Sequence, residues 1–417
     1  MKKICIVGLG YIGLPTAAIL TRAGYEVFGV DVNKSVIDAI NKGKVHIFEP
    51  NLDMLVKRAV ENNLLQAGIN VVKADIFILA VPTPFKDNHK PDISYVEAAV
   101  KEIIPCLEKG NLVILESTSP VGTTEYIANI VYELRKDLQN NDILFAHCPE
   151  RVLPGRILDE LVNNDRIIGG LNKESTEVAK VFYSTFVKGE LITTDSKTAE
   201  LSKLVENSYR DVNIAFANEL SIICDKLKID VWELISIANH HPRVNILNPG
   251  PGVGGHCIAV DPWFIVDSVP RESKLIHMAR EINDYKPMFV FDKIENIIKK
   301  IKNPKIACLG LAFKADVDDL RESPAIKIVD LLSNNKDSEI LVVEPYIKTL
   351  PKELDKKENV TLSKYHEAVE KADVIILLVD HNKFKKEKLS NLNNKILIDT
   401  RGIYDINNDF GGLLVRI

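Results

Sequence analysis

Short, continuous apolar runs recur along the first half of the chain and alternate with stretches of helical periodicity. Runs of this kind, rich in Ile, Val and Leu, are typical of strands buried on both faces of a parallel sheet. The runs that we interpret as strands cover residues 4–7, 26–30, 75–81, 112–116 and 143–146. Their alternation with helical segments predicts a doubly wound α/β domain.

A much longer helical pattern follows. The stretch from Ser196 to Ile237 contains neither proline nor glycine, and its apolar residues follow the helical period. We therefore predict one helix over the whole stretch. Because a helix of that length outgrows a single domain, it is expected to join two halves of the protein and to offer a dimer surface.

A second series of apolar runs begins after Pro304, with a helix starting at Ser323. Its strands are expected at residues 306–309, 340–343, 373–379 and 396–399. The sequence thus predicts an α/β protein with two Rossmann-like doubly wound domains, joined by a long central helix and a helical dimerisation domain. The predicted boundaries are 1–194 for the first Rossmann domain, 195–300 for the helical domain and 301–417 for the second Rossmann-like domain.

Composition and charge narrow the classes of partner. The chain has 417 residues, 46% of them hydrophobic, and a formal net charge of −5, which gives no general attraction to nucleic acid or to an anionic membrane. No apolar segment approaches the roughly 20 residues that cross a bilayer. Six cysteines occur without a CxxC pair, which indicates a reducing compartment. We expect a cytoplasmic protein that binds small molecules and inserts into no membrane.

A glycine-rich loop follows the first predicted strand. Gly8-Leu9-Gly10-Tyr11-Ile12-Gly13 leads into a helix, and the next strand ends at Asp31. In this context the glycines allow a tight turn and a close approach to a pyrophosphate, and the acid accepts from ribose hydroxyls. An ordinary glycine turn is the alternative, but the order of strand, glycines, helix, strand and acid favours a dinucleotide site. The acid, which would repel a 2′-phosphate, favours NAD over NADP. The residues expected to bind NAD are Gly8, Gly10, Tyr11, Ile12, Gly13 and Asp31.

Polar residues follow three further strands of the first half. Thr83 lies between two prolines, and Thr118 lies in a hydroxyl-rich loop that opens a helix. Thr118 could hold a water or the nicotinamide amide, or it could simply cap the helix. Glu150 and Arg151 follow the strand at 143–146. Because ligands bind at the carboxyl edge of such sheets, these residues are expected near the cofactor.

The most tightly specified stretch of the chain is the segment 248–262, which has four glycines and three prolines around Cys257. Such a loop usually presents a side chain, and glycines beside the sulfur let a substrate approach. Cys257 is the candidate nucleophile, and Asp261 could orient a water or a hydroxyl. The alternative is a glycine turn with a buried cysteine.

Lys203 and Asn207 lie on the same face of the predicted long helix. They could be ordinary solvated residues, or this face could point toward Cys257.

Three basic residues follow strands of the second half. Lys314 and Arg321 come after its first strand, and Arg401 comes after its last. Any one of them could be ordinary surface charge, but three cations at strand ends favour a pyrophosphate clamp. The histidines lack the carboxylate or cysteine spacing of a metal site, so no metal is expected.

An NAD domain, a second nucleotide-like domain and a reactive cysteine suggest oxidation through a thioester. One hydride transfer takes an alcohol to an aldehyde. A second requires a tetrahedral adduct from which hydride can leave, and a thiolate supplies that adduct. Hydrolysis of the resulting thioester then gives a carboxylate.

These motifs, in this order along nearly the whole chain, resemble the UDP-glucose/GDP-mannose dehydrogenase family. The resemblance implies an NAD-binding domain, a helical dimerisation domain and a UDP-sugar-binding domain, in a homodimer or a higher oligomer. It also implies four-electron oxidation of a sugar C6 alcohol with two NAD bound in turn.

The resemblance assigns roles to residues by position. Cys257 would be the nucleophile, Lys203 and Asn207 would stabilise oxyanions, and Asp261, Thr118 and Glu150 would handle water or protons. Thr83, Thr118 and Arg321 join the expected NAD contacts. The expected substrate contacts are Glu150, Arg151, Val152, Lys203, Asn207, Arg243, Asn245, Gly252, His256, Lys314 and Arg401.

The chain departs from the glucose-type members at three positions. It has His256 and Val260 where they have serine and lysine, and Pro154 where they have a second acid. These residues resemble the branch that acts on N-acetylated sugars. The expected reaction is oxidation of UDP-N-acetyl-D-mannosamine to its uronate, for a surface polysaccharide or glycan.

Three alternatives remain open. The same chemistry could act on UDP-N-acetylglucosamine or UDP-glucose. A two-electron 3-hydroxyacid dehydrogenase could share the N-terminal fold and a helical lysine, but it would not need Cys257. A nucleotide-sugar sensor would use the fold for binding alone, although the cysteine, lysine, asparagine and aspartate together argue against it.

Overall fold

The computed structural model describes residues 2–86, 89–387, 392–404 and 411–417. The chain forms two compact units. Unit 1 comprises Met1–Glu206 and Asp267–Val269, and unit 2 comprises Asn207–Val266 and Pro270–Ile417. None of the helices in the described ranges combines the length and the apolar content needed to cross a bilayer.

Unit 1 contains an eight-stranded sheet in the order β3-β2-β1-β4-β5-β6-β7-β8. Neighbouring strands are parallel except β6 and β7, which are antiparallel. The strands are β1 (Lys3–Val7), β2 (Glu26–Val30), β3 (Leu65–Gly68), β4 (Ile76–Leu79), β5 (Leu112–Leu115), β6 (Leu144–His147), β7 (Arg166–Gly170) and β8 (Leu191–Asp195).

Two apolar cores cover the faces of this sheet. In β1, Ile4 and Ile6 belong to one core and Cys5 and Val7 to the other, because successive side chains of a strand point to opposite faces. The helices of unit 1 are α1 (Gly13–Arg22), α2 (Lys34–Asn41), α3 (Leu52–Glu61), α4 (Ser94–Ile103), α5 (Thr123–Leu134), α6 (Ile157–Asn163) and α7 (Lys173–Tyr183).

The long central helix is shorter than the sequence predicted. Helix α8 spans Ser196–Leu227, and a separate helix α9 spans Val231–Ala238. The prediction of a single helix over 196–237 is therefore wrong after Leu227. The break occurs because Lys228 adopts a left-handed φ of 60°, and the Asp230 side chain accepts from the first amides of α9, as an N-cap does.

Unit 2 contains a six-stranded, wholly parallel sheet in the order β11-β10-β9-β12-β13-β14. Its strands are β9 (Lys305–Leu309), β10 (Glu339–Val343), β11 (Val360–Leu362), β12 (Val374–Leu377), β13 (Ile396–Asp399) and β14 (Leu413–Arg416). The remaining helices of the chain are α10 (Asp261–Ser268), α11 (Lys274–Ile298), α12 (Pro324–Leu332), α13 (Lys352–Asp355), α14 (Tyr365–Lys371) and α15 (Asn382–Lys386).

The predicted fold class is confirmed: the described residues include two Rossmann-like, mostly parallel sheets and the long helix α8. Each strand predicted from an apolar run is present, with ends that differ by at most a few residues. The strands that the pattern missed are β3, β7, β8, β11 and β14, which are short or carry polar residues. The predicted start of a helix at Ser323 is also confirmed, because its side chain caps α12.

Candidate active site

The glycine loop of unit 1 has the shape that a pyrophosphate requires. Gly8 has a φ of 97°, and a β-carbon there would clash with the carbonyl of Ala80, the residue after β4. A β-carbon on Gly13 would clash with the Gly8 carbonyl, so α1 packs tightly on β1, whereas Gly10 has open space around it. The N-terminus of α1 can therefore receive an anion close to the backbone.

Asp31 follows β2 and holds this loop. Its Oδ2 accepts from the Leu9 amide at 3.1 Å, and its Oδ1 accepts from the Asn33 amide at 2.8 Å. A carboxylate fixed at this position suits the ribose hydroxyls of NAD and would repel a 2′-phosphate. Tyr11 and Ile12 lie in the same loop, where Tyr11 is 45% exposed. These residues fit NAD.

Thr83 and Thr118 lie after neighbouring strands and are joined directly. The Thr83 hydroxyl donates to the Thr118 carbonyl at 2.6 Å, which ties the loop after β4 to the loop after β5. Thr118 is not the cap of α5, because Gly122 occupies that position. The alternative role of Thr118 as the helix cap is therefore wrong. Its side chain is half-buried, and its role in binding water or the nicotinamide stays a proposal.

Glu150 lies beyond the end of β6 and is 8% exposed. It forms an ion pair with Arg166, which also pairs with Glu116. The neighbouring Arg151 donates to Glu206 at 3.0 Å, and Val152 after it is half-buried. The structure thus places Glu150 inside a charged cluster, and it gives Arg151 a carboxylate partner.

The cysteine loop belongs to unit 2 and leads into α10. Cys257 is half-buried, and its carbonyl accepts from the amides of Val260 and Asp261 at 3.0 and 2.8 Å. Asp261 is 3% exposed and accepts from the Asn207 side-chain amide at 2.6 Å. Asn207 lies on α8, one turn after the half-buried Lys203. The structure therefore brings Asn207 and Asp261 together, and their role in catalysis stays a prediction.

The segment before α12 supports the cysteine loop. The Gly255 amide donates to the Arg321 carbonyl at 2.9 Å, and the Phe313 ring lies against Gly255. A β-carbon on Gly254 would clash with the Glu322 carbonyl. Lys314 extends over the Phe313 ring, with its Nζ at 5.6 Å from the centroid. The loop that carries Cys257 is thus packed against a segment that the sequence linked to phosphate binding.

Two of the predicted basic residues have acidic partners. The Arg321 guanidinium donates to both carboxylate oxygens of Asp319, and the His256 Nδ1 is 3.8 Å from the same carboxylate. Burial opposes ionisation of Asp319, but the hydrogen bonds from Arg321 outweigh it and hold the pKa of Asp319 below its usual value. Arg321 and His256 are therefore oriented by one carboxylate.

Arg401 lies after β13 and makes two contacts that fix it. Its guanidinium pairs with Asp380 at 3.0 Å, and it packs so closely on Gly250 that a β-carbon there would clash with it. Gly252 has a φ of 144° and packs against Pro287 and Pro324. Arg401 thus reaches the start of the cysteine loop.

Arg243 and Asn245 lie in the exposed stretch between α9 and the cysteine loop. The structure describes their positions in unit 2, and their role in substrate binding stays a prediction. In the described part of the chain, no group of three or more His, Cys, Asp or Glu side chains could hold a metal ion.

Sequence reasoning missed several charged and aromatic residues that orient the candidates. They are Glu116, Arg166, Phe313, Asp319 and Asp380. A signal was present for two of them: Glu116 and Arg166 each adjoin an otherwise apolar strand, and a buried charge is unusual enough to indicate a partner.

Comparisons with known proteins match all parts of the chain. Models of the UDP-glucose/GDP-mannose dehydrogenase family match with the NAD binding domain at residues 2–187, the central domain at 197–285 and the UDP binding domain at 307–406.

Individual relatives are similar over nearly the full length. A UDP-N-acetyl-D-mannosamine dehydrogenase of Campylobacter jejuni is 59% identical over 391 residues, 92% of this chain and 96% of the relative. An NDP-N-acetyl-D-galactosaminuronic acid dehydrogenase of Ralstonia nicotianae is 54% identical over 410 residues, 97% of this chain and 96% of the relative. The solved structure of a UDP-D-ManNAc dehydrogenase from Pyrococcus horikoshii has a TM-score of 0.90 at 38% identity and covers 100% of this chain and 99% of that chain.

Proposed function

Because the chain belongs to the UDP-glucose/GDP-mannose dehydrogenase family and uses NAD, we propose that it oxidises the C6 alcohol of UDP-N-acetyl-D-mannosamine to the carboxylate, for a surface polysaccharide or glycan. The observation that carries this proposal is the loop 248–262, which presents Cys257 beside an Asp261 already held by Asn207. Similarity to relatives named for the same sugar supports the choice of substrate.

The proposed reaction passes through a thioester on Cys257. The alcohol first loses a hydride and a proton and becomes the aldehyde. The Cys257 thiolate adds to the aldehyde carbon, a second hydride leaves that carbon, and a thioester remains. Water then attacks the thioester carbon, the carbon–sulfur bond breaks, and the thiolate is regenerated. NAD, when bound, accepts one hydride in each oxidation, so one sugar and one water yield one carboxylate and three protons.

The other candidate residues have roles that their chemistry supports. Lys203 and the free amide proton of Asn207 would donate to the oxyanion that forms when sulfur or water attacks. Asn207 can do this while it holds Asp261, since its amide has two N–H groups. Asp261, Thr118 and Glu150 would accept protons or orient the attacking water.

The remaining candidate residues have binding roles in this proposal. We propose that Arg151, Val152, Arg243, Asn245, Gly252, His256, Lys314 and Arg401 contact it, in addition to the catalytic groups. Arg321 and Thr83 would contact NAD. The free cysteines and the use of NAD support a cytoplasmic location for the reaction.

A second substrate has a specific observation in its favour. The Ralstonia nicotianae relative is named for an N-acetyl-D-galactosaminuronic acid, and its similarity to this chain is close to that of the Campylobacter relative. The same chemistry on UDP-N-acetylgalactosamine would use the same cysteine and differ only at the sugar ring.

The first expected result concerns stoichiometry. Purified protein supplied with UDP-N-acetyl-D-mannosamine should form two NADH for each sugar consumed, because the alcohol loses four electrons on its way to the carboxylate. NADH is measured by absorbance and the uronate by mass spectrometry. UDP-N-acetylglucosamine, UDP-N-acetylgalactosamine and UDP-glucose are tested in parallel. One NADH per sugar would contradict the thioester scheme, and no NADH with any sugar would favour a binding protein.

We also propose that the protein forms a homodimer through helix α8. Large apolar side chains on this helix are 40–69% exposed and lie within one stripe of its surface: Leu201, Val205, Tyr209, Phe216, Ile223 and Leu227. The stripe is about 40 Å long at 1.5 Å per residue. An exposed apolar surface of this size on one helix is typical of a subunit contact, and a second copy of the chain would bury it.

The dimer should dissociate when a charge is placed in the stripe. Phe216→Glu is expected to convert a particle of twice the chain mass of 46.6 kDa into a monomer, since a carboxylate would be buried without a partner. Sedimentation equilibrium measures the mass. Phe48→Glu is the matched control, because Phe48 is 83% exposed in unit 1 and lies outside the stripe. A wild-type monomer, or an unchanged Phe216→Glu dimer, would contradict the proposal.

A further inference from the structure

Arg166 lies at the centre of a buried polar cluster in unit 1. It is the first residue of β7 and is 4% exposed. Its guanidinium pairs with Glu116, which follows β5, and with Glu150, which follows β6. Desolvating three charged groups is costly, and apolar residues of similar volume would often stabilise a protein core better. The cluster therefore calls for an explanation beyond folding.

The guanidinium is held on several sides. Its Nη2 donates to the Cys148 carbonyl at 3.2 Å and to the Tyr183 hydroxyl at 3.1 Å. The guanidinium carbon also lies 4.4 Å from the centroid of the Tyr183 ring, within range of a cation–π interaction. Arg166 thus connects the ends of β5 and β6 to α7 with little freedom to move.

The charges in the cluster balance if one carboxyl group keeps its proton. Burial raises the pKa of Glu116 to about 8, with Arg166 opposing the shift and Glu150 adding to it. Burial alone would lower the pKa of Arg166, but Glu150, Tyr183 and Glu116 raise it well above its usual value. Burial thus favours a protonated Glu116 next to the charged Arg166.

The other titratable groups around Glu116 are neutral. Burial and the nearby Arg166 charge lower the pKa of His147 to about 3. Burial raises the pKa of the Cys148 thiol to about 12, and it raises the pKa of Tyr183 well above its usual value. The two carboxyl groups and the guanidinium therefore carry the charge of the cluster.

We propose that Arg166 and Glu116 are positioning residues for Glu150, which fix its carboxylate beyond the end of β6 for the role with water that the proposed function gives it. This inference rests on the proposed function. Arg166 forms the cationic bridge between the two carboxyl groups, and Glu116 is the acid beside it whose protonated form burial favours. Because Glu116 directly precedes Ser117 and Thr118, the same bridge also ties the Thr118 loop to the Glu150 loop.

The first experiment removes the charge of Arg166. In Arg166→Gln the two carboxyl groups lose their cation, so protonation of each of them is favoured up to a higher pH. The rate of uronate formation should fall about tenfold at neutral pH, and the acidic limb of the kcat profile should move up by at least about one pH unit. Arg166→Lys, which keeps the charge, should restore the position of the limb. An unmoved limb in Arg166→Gln would overturn the proposal.

The control for a purely structural effect is Arg135→Gln. Arg135 also pairs with a carboxylate, Asp137, and donates to the carbonyls of Ile104 and Leu107. Its replacement should lower the stability of unit 1 without moving the limb. A limb that moved equally in both variants would count against a specific role for Arg166.

The second experiment needs no catalytic activity. A buried acid whose pKa is raised on folding contributes stability that is fully present below its unfolded pKa and is lost as pH rises toward 8. Glu116→Gln keeps the shape but cannot ionise. Its urea midpoint should therefore rise relative to wild type between about pH 5 and pH 9. A constant difference between the two proteins would mean that Glu116 holds no proton, and it would overturn the part of the proposal that gives this cluster a protonated Glu116.

The two experiments separate the inference from the proposed function. If the wild type forms no NADH from any UDP-sugar, the proposed function fails, and the role of Arg166 in hydrolysis fails with it. The pH-dependent difference in urea midpoint between Glu116→Gln and the wild type would still be tested separately, because it requires no catalytic activity. If the wild type turns over and only the Arg166 variants disagree, the proposed function survives and the positioning role is overturned.

Discussion

Replacing Cys257 by alanine should abolish uronate formation, with a loss of at least about ten-thousand-fold in kcat. Without the sulfur no thioester can form, and the aldehyde lacks the adduct from which a second hydride leaves. The alanine variant should keep its fold, because Cys257 is only half-buried and the turn that begins α10 uses its backbone carbonyl. Product is measured by mass spectrometry, and NADH is measured in parallel.

The control for this prediction is another half-buried cysteine. Cys106 follows α4 in unit 1, and Cys106→Ala should retain the wild-type rate. Two NADH per sugar from Cys257→Ala at the normal rate would rule out covalent catalysis by this residue. One NADH per sugar at the normal rate would instead support a two-electron dehydrogenase of the 3-hydroxyacid type.

The parts of the fold that the sequence predicted are those that local patterns determine. Apolar runs such as 4–7 and 306–309 mark strands buried on both faces, and each has a position in one of the sheets. The glycine loop and Asp31 were also recognisable, because a strand, a turn and a helix follow one another directly. Strand β8, by contrast, has only half-buried or exposed residues. It has too few apolar residues to be recognised as a strand from an apolar run.

The end of α8 shows a different limit. The segment after Leu227 contains good helix formers and no proline or glycine, so the pattern predicted continuation. The helix ends there because Lys228 takes a left-handed conformation. In addition, Arg416 pairs at 3.2 Å with Asp230, the residue that caps α9. Arg416 is 186 residues away from Asp230, and a local pattern carries no information on such a contact.

The same limit applies to the candidate site. Cys257, Asp261 and Asn207 were selected for their residue types and spacing, and two of them are in direct contact. The residues that orient the site come from distant segments, such as Arg166, which lies 50 residues from Glu116. Their contacts depend on which strands are neighbours in the sheet. The sequence therefore indicated candidate residues, and the structure adds the groups that contact them.

Gly255→Ala should lower kcat about a hundredfold, because it would displace the loop that carries the proposed nucleophile. A β-carbon on Gly255 would lie 2.8–3.1 Å from three atoms of the Phe313 ring, and Gly255 has a φ of 84°. The ring would have to move or the loop would have to shift, and a displacement of about 1 Å at a reacting group can cost about a hundredfold in rate.

Gly110→Ala separates this packing effect from backbone strain. Gly110 has nearly the same φ, 85°, but a β-carbon there would meet nothing within 4 Å. Both variants should lose about 1 kcal/mol of stability, since an L-residue resists the left-handed region, and only Gly255→Ala should lose activity. Kinetics and urea unfolding of the two variants give the comparison. Equal activity in both would mean that the Phe313 contact does not position Cys257, whereas a selective loss that Gly255→Ala/Phe313→Ala partly recovers would identify the ring as the cause.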